Sequence, residues 1–152
     1  MLFNLDEGNG TWFDFQESTV DAEGVITFLP VKEGAGSVCV RQADADFFEK
    51  LNKKTRKKDV RFIPNPARNN TLQRVEDSVV LDGKDKEERE ALQDHWIVDF
   101  KDLRGADKQL IACTKENKIK LMKLGVFRRF IDECHRRISS DGGMIKEENE
   151  NL

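Results

Sequence analysis

The stretch Trp96–Arg137, WIVDFKDLRGADKQLIACTKENKIKLMKLGVFRRFIDECHRR, decides how this chain is read. It opens on WIVDF, Trp96 to Phe100, an apolar run with the composition of a strand. The Gly-containing segment KDLRGADKQL reads as a turn, and LIAC, ending at Cys113, as a returning strand. Thr114 stands where a helix N-cap belongs, with Glu116 in the first turn. Beyond it Ile119, Met122, Val126, Phe130, Cys134 and Ile138 recur at three- and four-residue steps, flanked by Phe127 and Ile131. That spacing predicts an apolar helical seam, which is expected to pack on Trp96, Val98 and Phe100. Gly125 interrupts the row and predicts two helices, or one kinked helix, along it.

Upstream, DKEEREALQDHWIVDF reads as a helix running into Trp96 or as a polar helix that stops near Asp94 before the strand, and the β-rich composition after His95 favours the second. The N-terminal third reads as β: TWFDF and VITFLPV are expected to pair as antiparallel strands across the turn-rich QESTVDAEG, and SVCVR supplies a third strand. From Asp44 the period changes, with Phe47, Phe48 and Leu51 on a helical stripe, acids in the first turn and bases after it. This short helix is predicted to end near Lys58. Pro64, Pro66, Asn69 and Asn70 then predict an edge strand, a loop and a short apolar element at Val79 to Leu81, within a charged linker region. The expectation is an α+β protein: a small N-terminal antiparallel β-sheet, the linker, and a C-terminal helical unit. Its domains are residues 1–75, β-rich with one basic helix, and 76–138, mostly helical. Residues 139–152, beginning near Gly142 and Gly143, are expected to form a disordered acidic tail.

The 152 residues carry a net charge of −3, which hides an alternation. Residues 1–40 carry −6, 41–75 carry +6, 76–107 carry −6, 108–138 carry +6, and 139–152 carry −3. Such blocks suit complementary protein faces better than an evenly basic nucleic-acid surface. Three cysteines, Cys39, Cys113 and Cys134, are odd in number and widely spread, and the first residues show neither a basic nor an apolar leader segment. No apolar run approaches the ~20 residues that span a bilayer. The expectation is therefore a protein of a reducing compartment, away from membranes, with free core thiols.

Neither zinc nor covalent catalysis finds a motif. Structural zinc sites use close ligand pairs, whereas adjacent Cys134 and His135 diverge by about 100° on a helix. Cys134 falls on the apolar row, where a thiol is inert, and the carboxylates of DGKDKEERE sit in a polar segment that raises no pKa. EGAGS has one G-x-G but neither a third glycine nor a following helix. The expectation is a non-enzyme with no cofactor and no metal. The basic run KKTRKKDVR keeps nucleic-acid binding as a second reading.

Three pieces carry a resemblance to a known family: WIVDFKDLRGAD, ACTKENKIKLM and FRRFIDECHRR. Together they resemble the C-terminal signature of tail assembly chaperones of tailed bacteriophages, and WFDF with GVITFLPV is similar to the small β-portion before it. Lys50 to Arg74 departs from the commonest pattern of that family. The resemblance implies a non-enzymatic helper in the bacterial host cytoplasm that binds tape-measure and tail tube proteins during tail morphogenesis. Self-association is compatible with that role. The partner-binding residues expected on the basic faces are Lys53, Lys54, Arg56, Lys57, Lys118, Lys120, Lys123, Arg128 and Arg129. The competing expectations are a structural head–tail or tail component of the virion and a nucleic-acid-binding accessory protein.

Overall fold

The computed structural model describes residues 9–141, which form an α+β protein. The described residues divide into two compact units: 9–43 together with 92–141, and 44–91.

The first unit is built on a three-stranded antiparallel sheet of β1 (Thr11–Asp14), β4 (Ser37–Val40) and β7 (Ile97–Lys101), with β4 in the centre. The expected pairing of TWFDF with VITFLPV is corrected here. β1 pairs with β4, Phe13 opposite Val38, whereas β3 (Ile26–Phe28) pairs with β2 (Ser18–Val20) in a separate two-stranded hairpin. The segment read as a turn therefore contains a strand, and the turn proper is Asp21–Gly24, where Asp21 Oδ1 accepts from the backbone N–H groups of Glu23 and Val25. The LIAC strand is also corrected: the chain there makes a single bridge, Arg104 to Leu110.

The strand expected at WIVDF forms one residue later, over Ile97–Lys101, and its core-facing residues differ from expectation. Val38 pairs with Phe100 and Val40 with Ile97, so a bulge between Cys39 and Val40 inserts one extra residue on the β7 side. Ile97 and Phe100 both reach the core despite their odd spacing, and Val98 does not belong to it. Cys39, on the opposite face from Val38 and Val40, is covered by Gly10, whose added Cβ would stand 2.6 Å from the Cys39 sulfur.

α3 (Lys115–Met122) starts as the sequence predicts, Thr114 accepting from the Asn117 N–H through its side chain. α4 (Gly125–Asp141) follows after a break at Lys123–Leu124, so the seam is carried by two helices. Met122, Phe127, Phe130, Ile131, Cys134 and Ile138 are buried against Val38, Val40, Ile97 and Phe100, while Phe13, Phe15, Trp96 and Leu121 close the margin. Ile119 and Val126 are only half-buried.

In the second unit, α1 (Ala45–Thr55) is capped by the Asp44 side chain at the Phe47 N–H. It ends at Thr55 rather than near Lys58, because Arg56 already begins a strand. The segment read as a charged linker is a regular hairpin: β5 (Arg56–Asn65) and β6 (Thr71–Val80) pair over ten residues each. A short 3₁₀ turn at Pro66–Arg68 and left-handed Asn69 and Asn70 connect them. The expected boundary at 75/76 thus falls inside β6. α2 (Asp85–Trp96) begins in this unit, whose last residue is Ala91, and runs on to Trp96, two residues beyond Asp94. Ser139, Ser140 and Asp141 belong to α4, and the rest of the expected acidic tail lies outside the described residues.

Candidate partner-binding surfaces

The nine basic residues expected to meet partners are divided between the two units. Four lie in the second unit and five in the first, and five of the nine hold the fold together or pair locally. Arg56 forms a fork with Glu88 of α2, Nη2 to Oε1 at 2.8 Å and Nε to Oε2 at 3.0 Å. The Thr55 hydroxyl lies 3.1 Å from the same carboxylate, and the Leu81 N–H donates to the Thr55 carbonyl, so these contacts close the base of the β5–β6 hairpin. Arg56 beside it holds the Glu88 carboxyl below its usual range. Lys118 reaches Asp94 Oδ1 at 3.1 Å, leaving its side chain only 12% exposed. Arg129 donates to the Ser18 hydroxyl at 2.7 Å, fixing α4 to β2.

Lys53 and Lys120 make exposed i,i+4 pairs with Glu49 and Glu116, which leaves them accessible at little cost. Lys54, Lys57, Lys123 and Arg128 are exposed and have no ion pair among the described residues. A charge count cannot separate the structural bases from the free ones; the i,i+4 acids of Lys53 and Lys120 are readable in the sequence, whereas Glu88 and Asp94 lie 32 and 24 residues from Arg56 and Lys118.

What sequence reasoning missed is the hairpin itself. Side chains alternate across a ribbon, so Val60, Phe62, Pro64 and Leu72 share one face with Lys58, Arg74 and Glu76, while Lys57, Asp59, Arg61, Ile63, Val75, Asp77 and Val79 share the other. Phe62 is 61% and Leu72 69% exposed, adjacent on the first face, with Val60 beside them. The apolar group is bracketed by Lys58 and Arg74, both within reach of Glu76, at 3.9 and 2.8 Å. The sequence held little signal for it: Phe62 and Ile63 are consecutive rather than alternating, and the prolines and asparagines read as a loop.

The chemistry-bearing residues elsewhere are occupied structurally. Burial pushes the Cys134 thiol up to about 12 and raises that of Cys39; partial desolvation raises exposed Cys113 as well. His135 places Nε2 3.2 Å from the Arg41 carbonyl, which can only accept, so that nitrogen carries the proton. Its ring meets Trp96 edge-on at 4.9 Å, and burial lowers its pKa. Among the described residues no group of three or more His, Cys, Asp or Glu side chains could hold a metal ion. A cleft of about 460 Å³ between the β2–β3 hairpin and α4 is lined by Ile26, Phe28, Arg129, Asp132, Glu133 and Arg136, where Arg136 and Arg137 hold the Glu133 carboxyl below its usual range. No helix among the described residues is long and apolar enough to cross a membrane. Comparison with known protein families, characterised proteins and solved structures finds no match to this chain.

Proposed function

We propose that this protein is a tail assembly chaperone of a tailed bacteriophage, acting through protein–protein contact on tape-measure and tail tube proteins in the host cytoplasm. The resemblance of Trp96–Ile138 to that family supplies the class. The observation that carries a binding role is the β5–β6 hairpin, whose exposed Phe62 and Leu72 stand beside Val60 and are rimmed by Lys58 and Arg74. An apolar centre with a charged rim suits an amphipathic helix with acidic flanks. Exposed Lys54, Lys57, Lys123 and Arg128 add cationic sites for acidic partner faces.

The nucleic-acid reading is weaker on this geometry. A two-stranded ribbon fits a major groove, yet Asp59 and Asp77 are cross-strand partners on one face and Glu76 occupies the other. Phosphates would meet carboxylates on both sides.

The test is co-expression of the tagged chain with the longest helical protein encoded beside it, together with probing of purified particles for the chain. Capture of the long protein, lost in Phe62→Ser/Leu72→Ser, and absence from particles support the chaperone. Stoichiometric presence in particles overturns it in favour of a structural head–tail or tail component.

A further inference from the structure

The hairpin has two edges, and they are not equivalent. The Leu81 N–H bond to the Thr55 carbonyl lies on the same register as the β5–β6 ladder, in which partner numbers sum to 136. Odd-numbered positions of β5 are therefore the hydrogen-bonded pairs, and even-numbered positions of both strands turn their backbone groups outward. On β5 one of these outward positions is Pro64, which has no N–H to offer, and Lys58 is another, so that edge is blunted in the way natural sheets protect themselves. On β6 the outward positions are Leu72, Arg74, Glu76, Ser78 and Val80, none of them proline. No other strand pairs with β6 among the described residues. The result is an open donor–acceptor row in a two-stranded ribbon, a structure that is marginal in water without further strands or a covered face.

We propose that the outer edge of β6 pairs with β6 of a second copy of this chain, antiparallel and about a two-fold axis through Val75. Charge complementarity selects both the occupant and the register. Because hydrogen-bonded pairs across this edge join even positions to even positions, the two-fold centre falls on a residue. A centre at Arg74 sets two arginines opposite each other, one at Glu76 two glutamates, and one at Asp77 two aspartates. The centre at Val75 sets Arg74 opposite Glu76 of the second copy and Glu76 opposite its Arg74, so one contact type is satisfied twice by symmetry. It also brings Leu72 opposite Ser78, Thr71 opposite Val79, and the two Val75 side chains together at the axis. Arg74 and Glu76 already pair within the chain on an exposed surface, so exchanging partners costs little. The outcome is a four-stranded sheet in the order β5, β6, β6, β5 that leaves the Phe62 and Leu72 face open. This inference does not rest on the chaperone reading.

The full chain is examined by sedimentation across a concentration series, as the wild type, Arg74→Glu, Glu76→Arg and the double exchange. A concentration-dependent dimer is expected. Each single exchange places like charges opposite each other twice and weakens it by roughly tenfold or more, and the double exchange restores it. A second measurement uses Val75→Cys in a Cys113→Ser background: a non-hydrogen-bonded antiparallel pair stands about 4.5 Å apart at Cα, within disulfide range, so a cross-linked dimer forms under mild oxidant. Gln73→Cys, facing Asp77 of the second copy, stays largely uncross-linked. A monomer at every concentration, a dimer indifferent to the single exchanges, failure of the double exchange to rescue, or cross-linking at 73 as readily as at 75 each overturns the proposal. Loss of the dimer with retained capture of the long helical protein separates this interface from the function proposed above.

Discussion

Gly36 shows how much one residue settles at the smallest scale. Its φ is +87°, and an added Cβ would lie 2.7 Å from the Lys101 carbonyl oxygen and 2.9 Å from the Leu103 side chain. Gly36→Ala therefore meets both backbone strain and a clash with backbone that cannot swing away. It is expected to cost about 2–4 kcal/mol, read as a lower midpoint in denaturant unfolding. His135 supplies a pH dependence. Burial lowers its pKa, opposed by its bond to the Arg41 carbonyl and by Asp132. The unfolded chain consequently takes up the proton first as pH falls through about 6.5, and stability declines from there toward the lower folded value. His135→Gln should flatten the loss of thermal stability between about pH 7 and pH 5.5, above the range where carboxylates titrate. Neither effect is legible in sequence: a glycine's φ and a histidine's neighbours are products of the fold, and GAGS or CHRR looks the same in either setting.

At the scale of elements, legibility followed locality. Thr114 as a cap, the α3–α4 break and the Met122–Ile138 seam depend on residues within a turn or two of one another, and all three are present in the structure. Thr114→Ala removes the acceptor for the Asn117 N–H and should cost about 1 kcal/mol, measurable by urea unfolding. The sheet was harder because its partners are remote in sequence. β4 finds β1 on one side and β7 on the other, whereas in sequence β1 and β3 looked like the natural partners, across a segment that in fact holds β2. The phase of β7 could not be read either, since the bulge between Cys39 and Val40 carries Ile97 and Phe100 to one face. The β5–β6 hairpin escaped for a different reason: with both faces largely exposed, no apolar-in, polar-out alternation marked it.

Across the whole molecule, the hydrophobic core among the described residues is Val38, Val40, Ile97, Phe100, Leu103 and the seam from Met122 to Ile138, all of them in the first unit. Replacing residues 60–76 by a two-residue Asn-Gly turn should therefore leave that core intact. The check is thiol reactivity: buried Cys39 and Cys134 stay protected from a thiol reagent while Cys113 reacts, with rates within about twofold of the full chain. Rapid labelling of all three would place the hairpin among the determinants of core stability. Finally, the central strand of the sheet acquires its second neighbour only after the entire second unit has been synthesised. Residues 44–91 are contiguous, so on the ribosome they can find their own contacts as they emerge, while β4 must wait for β7 and then for α4. Closing that long span bears an entropic cost that the shorter-range contacts within residues 44–91 do not. The sheet that occupies both ends of the sequence is thus the last part of the chain able to complete itself in time.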